Sequence, residues 1–290
     1  MRQTNLWKAH GLGNDYLVWQ GDTVLSADMV RRICHRNRGM GGDGILEPQH
    51  SVKANIGVRI WNPDASVAEK SGNGLRIFAW WCVVVQSKFA DKTWFTVDTG
   101  TDVVRCFVDS EAAQVQVYMG RPYFLPSVIP SRELLWGYPL SMPDGTILQL
   151  YAVGVGNPHC MAFFEKDTDM DTLPWRQWGE YLENHALFPN RTNVQFAQIV
   201  DKENIIIRIW ERGAGETSAS GSSSCAVASV ARKLQQISDA VRIHMEGGVL
   251  YVHFVSTENS DWKEHGDMIV LQGPIEEVGY MEWIDRQSVT

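Results

Sequence analysis

Two stretches of this chain are repeated in order in its second half, and that duplication limits the fold more than any other feature. LWKAHGLGNDYLVW (6–19) is matched by LYAVGVGNPHCMAFF (150–164). Each reads as a strand, a GxGN turn and a second strand. AEKSGNGLRIFAWW (68–81) is matched by SASGSSSCAVASVARKL (218–234). Each has a small polar residue, a glycine, a polar turn and then a helix. A β-rich tail follows each helix, 93–122 and 240–274, and both tails end in a glycine closely followed by proline. Three features in one order at similar spacing mark a duplicated unit. The chain is therefore expected to be α+β, with two pseudo-symmetric domains.

The strand patterns are short and alternate, as in Val115–Tyr118 and Ile205–Ile209. Such runs between turn residues suit mixed or antiparallel sheets. The segment 74–86 is apolar nearly all round, so it is expected to be a helix buried at the centre of its domain. MGRPYFLPSVIP (119–130) carries three prolines and reads as a linker. The last segment, 279–287, is expected to return and complete the first domain's sheet. The expected domains are 1–121 with 275–290, and 122–274.

Composition excludes several classes. There are 26 Lys and Arg against 34 Asp and Glu, a net charge of −8. That argues against a general nucleic-acid or anionic-membrane binder, though one local pocket can still hold an anion. The five cysteines are scattered, odd in number and without CxxC spacing, which argues against a disulfide framework or a zinc site. The N-terminus has no apolar core of a signal peptide. No apolar run reaches the roughly 18 residues of a membrane span. The expected compartment is the cytoplasm.

The two helix starts carry the chemistry. The first turn of a helix leaves N–H groups unpaired and bears partial positive charge. Gly72-Asn73-Gly74 and Gly221-Ser222-Ser223-Ser224 let an anion approach such an end closely. If pseudo-symmetry makes the two starts face one small carboxylate, Ser71 and Ser220 flank it. Two proton-handling groups on opposite faces of one carbon invert its configuration. Plain N-capping explains either serine alone; the duplication favours the functional reading.

These residues resemble the diaminopimelate epimerase family, which includes cofactor-independent amino-acid racemases. The motifs are GLGNDY (11–16), RGMGGDGIL (38–46), WNPDASVAEKSGNG (61–74), GNPHC (156–160), FPNRTNVQF (188–196), ERGAGET (211–217) and ASGSSSCA (219–226). The resemblance implies the diaminopimelate epimerase-like fold, two domains that are each a mixed or antiparallel sheet wrapped around a central helix, with the active site in the cleft between the domains. It implies no PLP, no metal and no nucleotide. The small-molecule partner is an amino acid, converted from LL to meso diaminopimelate in lysine biosynthesis, and a homodimer is left open.

The chain departs from the family pattern at Ser71 and Ser220, where the family has its acid and base cysteines. A thiol ionises near pKa 8.5, whereas a serine hydroxyl is a weak base unless a neighbour takes its proton. The resemblance supplies His159 behind Ser71 and Glu211 behind Ser220. The double serine fits a natural branch using Ser/His and Ser/Glu pairs. It also fits introduced Cys→Ser changes, or a branch that has lost racemisation and binds or isomerises another small carboxylate. The departures of ASGSSSCA at further positions favour the natural branch.

The resemblance places the reacting end of the substrate at Gly72, Asn73, Gly74, Gly221 and Ser222. It places the distal end near Asn14, Asn62, Asn157, Asn193 and Arg212. Arg212 is the one fixed cation in that set, suited to a bidentate grip on a carboxylate. Each asparagine alone also fits a turn role.

Overall fold

The structure, a computed structural model, describes residues 2–92, 94–127, 129–256 and 267–285. Within the tails and end segment singled out above, Thr93, 257–266, 286 and 287 lie outside the described residues. The chain divides into two compact units: Met1–Val117 with Gly273–Thr290, and Tyr118–Gln272.

In the first unit the strands are β1 (Arg2–Gly11), β2 (Asn14–Trp19), β3 (Gly44–Gln49), β4 (Ile56–Trp61), β5 (Phe95–Asp98), β6 (Val103–Asp109) and β7 (Gln114–Gly120). β1 and β2 form an antiparallel hairpin, and β2 runs parallel to β3. β3 and β4 are antiparallel, β4 and β5 parallel, and β5–β6 and β6–β7 antiparallel. Helix α1 (Ala27–Cys34) lies in the first parallel crossover and α2 (Gly72–Trp80) in the second. Ser26 caps α1 by accepting from the Met29 N–H, with Asp28 in the first turn and Arg31 and Arg32 in the last. Those charges complement the helix dipole.

The second unit repeats this pairing pattern strand for strand. Its strands are β8 (Trp136–Ser141), β9 (Ile147–Gly154), β10 (Pro158–Phe164), β11 (Asn193–Asp201), β12 (Asn204–Glu211), the short β13 (Gly215–Glu216), β14 (Ala240–Met245), β15 (Gly248–Ser256) and β16 (Asp267–Pro274). β9–β10 is antiparallel, β10–β11 parallel, β11–β12 antiparallel, β12–β14 parallel, and β14–β15 and β15–β16 antiparallel. Helix α3 (Trp175–Glu183) fills the first parallel crossover and α4 (Gly221–Lys233) the second. Apart from the short β13, which pairs with β12, the described strands of the two units differ in the outer strand. β8 pairs with β9 from just upstream. The equivalent partner of β1 is the last strand of the chain, Glu276–Asp285, running from Arg2 opposite Asp285 to His10 opposite Glu276. The first and last described strands are thereby tied by backbone hydrogen bonds.

Each sheet has a helix on either face. α2 packs on β1, β2 and β6, and α4 packs on β9, β10, β11, β14 and β15. On the opposite faces, Val30 and Ile33 of α1 join Leu6, Leu17 and Ile45, while Trp175, Trp178 and Leu182 of α3 join Val194 and Phe196. Every residue of α2 is buried, as its all-round apolar pattern requires. Its final turn differs from the expected α-helix to 86. Trp81–Val85 is a π turn closed by the Gln86 N–H on the Trp81 carbonyl at 2.9 Å. Three successive valines crowd an α-helical turn at χ1, and widening relieves that crowding. Val84 is exposed there. The proline-rich segment 119–130 is folded onto the second unit instead of hanging as a linker. Tyr123 and Gly154 exchange both backbone hydrogen bonds, at 2.9 and 2.8 Å, and Ile129 is buried.

All five cysteines are buried, and none forms a disulfide. Among the described residues no His, Cys, Asp and Glu side chains gather as a metal-binding group. None of the described helices is long and apolar enough to cross a membrane.

Candidate active site

In the first unit, Ser71 sits at the N-cap of α2 with extended backbone (φ −136°, ψ 117°). Its Oγ accepts from the Gly74 N–H at 3.0 Å, and its carbonyl accepts from the Leu75 N–H at 2.9 Å. A Cβ on Gly74 would lie 3.1 Å from Leu46 Cδ2 and 3.2 Å from Ser71 Oγ, so glycine is what lets the cap close. The N–H groups of Gly72 and Asn73 belong to the first turn, where the helix supplies no acceptor. Ser71 is half-buried, and the hydroxyl of Tyr16 lies 3.1 Å from its Oγ. Strand alternation turns Leu17 and Trp19 of β2 toward α1 and puts Tyr16 on the opposite face, toward α2.

Beside this serine the asparagines are held by charge. Buried Arg76 donates to Asn73 Oδ1 at 2.6 Å, Asn73 donates to Asn14 Oδ1 at 3.0 Å, and Asn14 donates to Asp43 Oδ2 at 2.8 Å. Asp43 and Asp15 share Arg36, at 2.6 and 2.8 Å, and Lys8 lies 2.7 Å from Asp15. Burial raises the Asp15 carboxyl, but its Arg36 and Lys8 partners outweigh that and bring it down to about 2. Asn62 does not join this chain: its amide donates to Ser66 Oγ at 2.9 Å within its own turn.

In the second unit, Ser220 caps α4 with nearly the same backbone (φ −148°, ψ 123°). Its Oγ accepts from the Ser223 N–H at 3.4 Å, and its carbonyl accepts from the Ser224 N–H at 3.1 Å. Gly221 and Ser222 supply the first-turn N–H groups here. Ser220 is buried, in contrast to Ser71. Glu211 ends β12, and its Oε1 accepts from the Thr217 hydroxyl at 3.0 Å.

Arg212 is exposed, with one guanidinium N–H donated to the Asn190 carbonyl at 3.2 Å. Its backbone N–H is held by Asn193 Oδ1 at 3.0 Å, while Asn193 Nδ2 donates to the Pro158 carbonyl at 3.0 Å. Asn193 is therefore a tie between strand ends. Buried Glu183 fixes both flanks of the Glu211–Arg212 pair, accepting from Trp210 Nε1 and the Gly213 N–H, each at 2.8 Å, and from Arg191 at 3.0 Å.

His159 is fully buried on β10, its Nε2 lying 2.8 Å from Asn157 Oδ1. Burial drives its pKa down to about 3, aided by the Arg212 charge and opposed by Gln195. It is neutral throughout the neutral range. The sign of the linkage follows: the unfolded histidine takes up a proton below about pH 6.5 and the folded one does not. Stability is thus full above that pH and falls by up to ~1.4 kcal/mol per pH unit below it. Urea midpoints between about pH 7 and 5 should decline, and less steeply in a His159→Gln variant. His185 and His253 are lowered by burial in the same direction, so the difference between variants is the informative quantity.

The sequence motifs carried Tyr16, Asp43, Arg76 and Gln195 without marking them, Ser223 was marked only as part of the second helix start, and Glu183 lies outside every motif. Arg76 alone had a signal, a single charge in an otherwise apolar helix.

Residues 6–125 and 151–274 match the family model described as Diaminopimelate epimerase. Diaminopimelate epimerase 2 of a Nostoc species is 40% identical over 85% of this chain and 87% of its own length. Diaminopimelate epimerase of Prochlorococcus marinus is 31% identical, over 94% of this chain and 96% of its own. The fold is shared with a probable proline racemase from Agrobacterium radiobacter (TM-score 0.72, 13% identity, 99% and 94% of the two chains).

Proposed function

Because the chain belongs to the diaminopimelate epimerase family, and is on that ground an isomerase of the cofactor-independent epimerase class, we propose that it interconverts LL- and meso-diaminopimelate by two-base proton transfer, with Ser71 and Ser220 as the two bases. The observation that supports this most is the matching construction of the two helix starts. Each has a capping serine in extended backbone, a glycine at the first helical position and first-turn N–H groups without helical acceptors.

In this reading the α-carboxylate binds first-turn N–H groups of Gly72, Asn73 and Gly221, where partial positive charge also favours the extra negative charge formed as the α-proton leaves. One serine Oγ takes that proton while the bond's electron pair stays on the α-carbon. The other serine delivers a proton to the opposite face. A serine needs a neighbour to accept its own proton. Tyr16, within hydrogen-bond distance of Ser71, takes the serine proton only as a relay that passes its own phenolic proton on to water, and Glu211 is the carboxylate assigned to Ser220. His159, being neutral, enters as a hydrogen-bonding partner. The exposed fork of Arg212 grips the distal carboxylate.

Incubation with LL-diaminopimelate in D₂O tests the reading. Deuterium at the α-carbon, with meso product, is the expected result. The serines themselves favour a second reading, a form that binds substrate without turnover. Binding with no deuterium incorporation by the protein, while its Ser71→Cys/Ser220→Cys variant incorporates deuterium, would establish that second reading.

A further inference from the structure

Two buried atoms near the second helix start lack partners. His159 Nδ1 and Gln195 Oε1 are each fully enclosed without a hydrogen bond. Both residues have no exposed surface. β10 and β11 run parallel with His159 opposite Asn193, which puts His159 and Gln195 on one face of adjacent strands. His159 Nε2 faces Asn157 Oδ1 at 2.8 Å, and the Gln195 amide faces Ser223 Oγ at 3.0 Å. Ser223 is itself fully buried at the third position of α4, with its N–H on Ser220 Oγ.

A neutral imidazole has one donor and one acceptor nitrogen, and amide nitrogen and oxygen are assigned from their partners. With Nε2–H donating to Asn157, Nδ1 is an acceptor, and so is Gln195 Oε1. Two acceptors facing one another in a buried site leave both unsatisfied. Turning the Gln195 amide by half a rotation removes both faults at once. Its Nε2 then donates to His159 Nδ1, and its Oε1 accepts the Ser223 hydroxyl proton. That proton is buried as well and needs an acceptor. The opposite assignment turns the Asn157 amide instead and leaves the Ser223 hydroxyl facing an amide NH₂, with no hydrogen bond among the described residues that takes its proton.

We propose that Gln195, backed by Ser223, is a positioning residue that locks His159 as its neutral Nε2–H tautomer, so that Asn157 Oδ1 is occupied and Asn157 turns its NH₂ toward the substrate. The chain Ser223–Gln195–His159–Asn157 then decides what Asn157 recognises. An outward NH₂ selects an acceptor, a carboxylate oxygen, and disfavours an ammonium. This last step rests on the epimerase reading; the tautomer does not. His159 serves here as the anchor of Asn157.

¹⁵N NMR of histidine-labelled protein reads the tautomer without any turnover. The expected spectrum has His159 Nε2 protonated, Nδ1 unprotonated and no titration between about pH 5 and 9. A protonated Nδ1, in either tautomer or in the cation, overturns the lock. Gln195→Glu places an acceptor at Nδ1 and is expected to move the proton there, turning Asn157 around. KM for LL-diaminopimelate should then rise by about tenfold or more, the scale of one hydrogen bond to a charged group. The deuterium incorporation rate at saturation should change much less. If the tautomer moves and KM does not, the assignment of Asn157 to a carboxylate fails while the lock stands. Should the variant fold poorly, the spectrum of the unaltered protein still decides the lock. If binding is present but incorporation absent, calorimetric affinity replaces KM, so loss of the function reading and loss of the lock are told apart.

Discussion

Changing Ser71 and Ser220 together to cysteine is expected to raise the rate of α-proton exchange on diaminopimelate by at least about a hundredfold. A thiol ionises near pKa 8.5, within reach of the helix N-terminus to lower it further. An alcohol is far less acidic, so at neutral pH its basic form must be made during each transfer. A hundredfold is about 2.7 kcal/mol of barrier, modest for such a change of base. The frame should accept the substitution. Ser71 is half-buried, and each serine is a cap whose backbone carbonyl, rather than its side chain alone, starts the helix. Each single cysteine variant is expected to gain less, because one turnover uses both bases and the remaining serine then limits it. Deuterium wash-in measured from both the LL and meso directions separates the two sites. A double variant no faster than the parent would mean that the serines are not the proton-transfer groups.

Gly39→Ala is expected to cost about 3 kcal/mol or more, or to prevent folding of the first unit. Gly39 lies in the RGMGGDGIL motif just past α1. A Cβ there would stand 2.0 Å from the Arg32 carbonyl oxygen, 2.6 Å from that of Ile33 and 3.0 Å from that of His35. These are main-chain atoms at the end of a packed helix, and they are in use. Gly39 N–H bonds the His35 carbonyl at 2.7 Å, and Met40 and Gly41 both bond that of Ile33. Relief requires moving the loop, and the loop carries Arg36 and Asp43, which hold Asn14. Urea denaturation should show the loss, and activity should fall with it. Gly100→Ala is the control: its Cβ meets nothing within 4 Å and only its φ of +88° is strained, so a loss of about 1 kcal/mol is expected. Equal losses in the two variants would refute the carbonyl-crowding argument.

Much of the fold was legible because a duplicated unit repeats both its turns and its hydrophobic periods. The GxGN turns, the small polar cap before each helix and the all-round apolar pattern of α2 are local signals, set by backbone freedom and by which side chains must be dry. The π turn at Trp81–Val85 was not legible, since three valines are equally good strand residues. Nor was the seating of 119–130, since prolines show where hydrogen-bond donors are missing but not what the remaining groups pack against.

The sequence by itself determined the α+β class, the two capping serines and the family to which the chain belongs, because these rest on residue type and order along the chain. The tertiary structure decided which groups are charged, oriented or occupied. Tyr16 meets Ser71 across 55 positions of sequence, Arg76 is spent on Asn73, Asn62 on its own turn, and His159 is neutral because β10 and α4 close water out around it. Hydrogen-bond direction and protonation depend on what surrounds a group in space, and no local pattern records that.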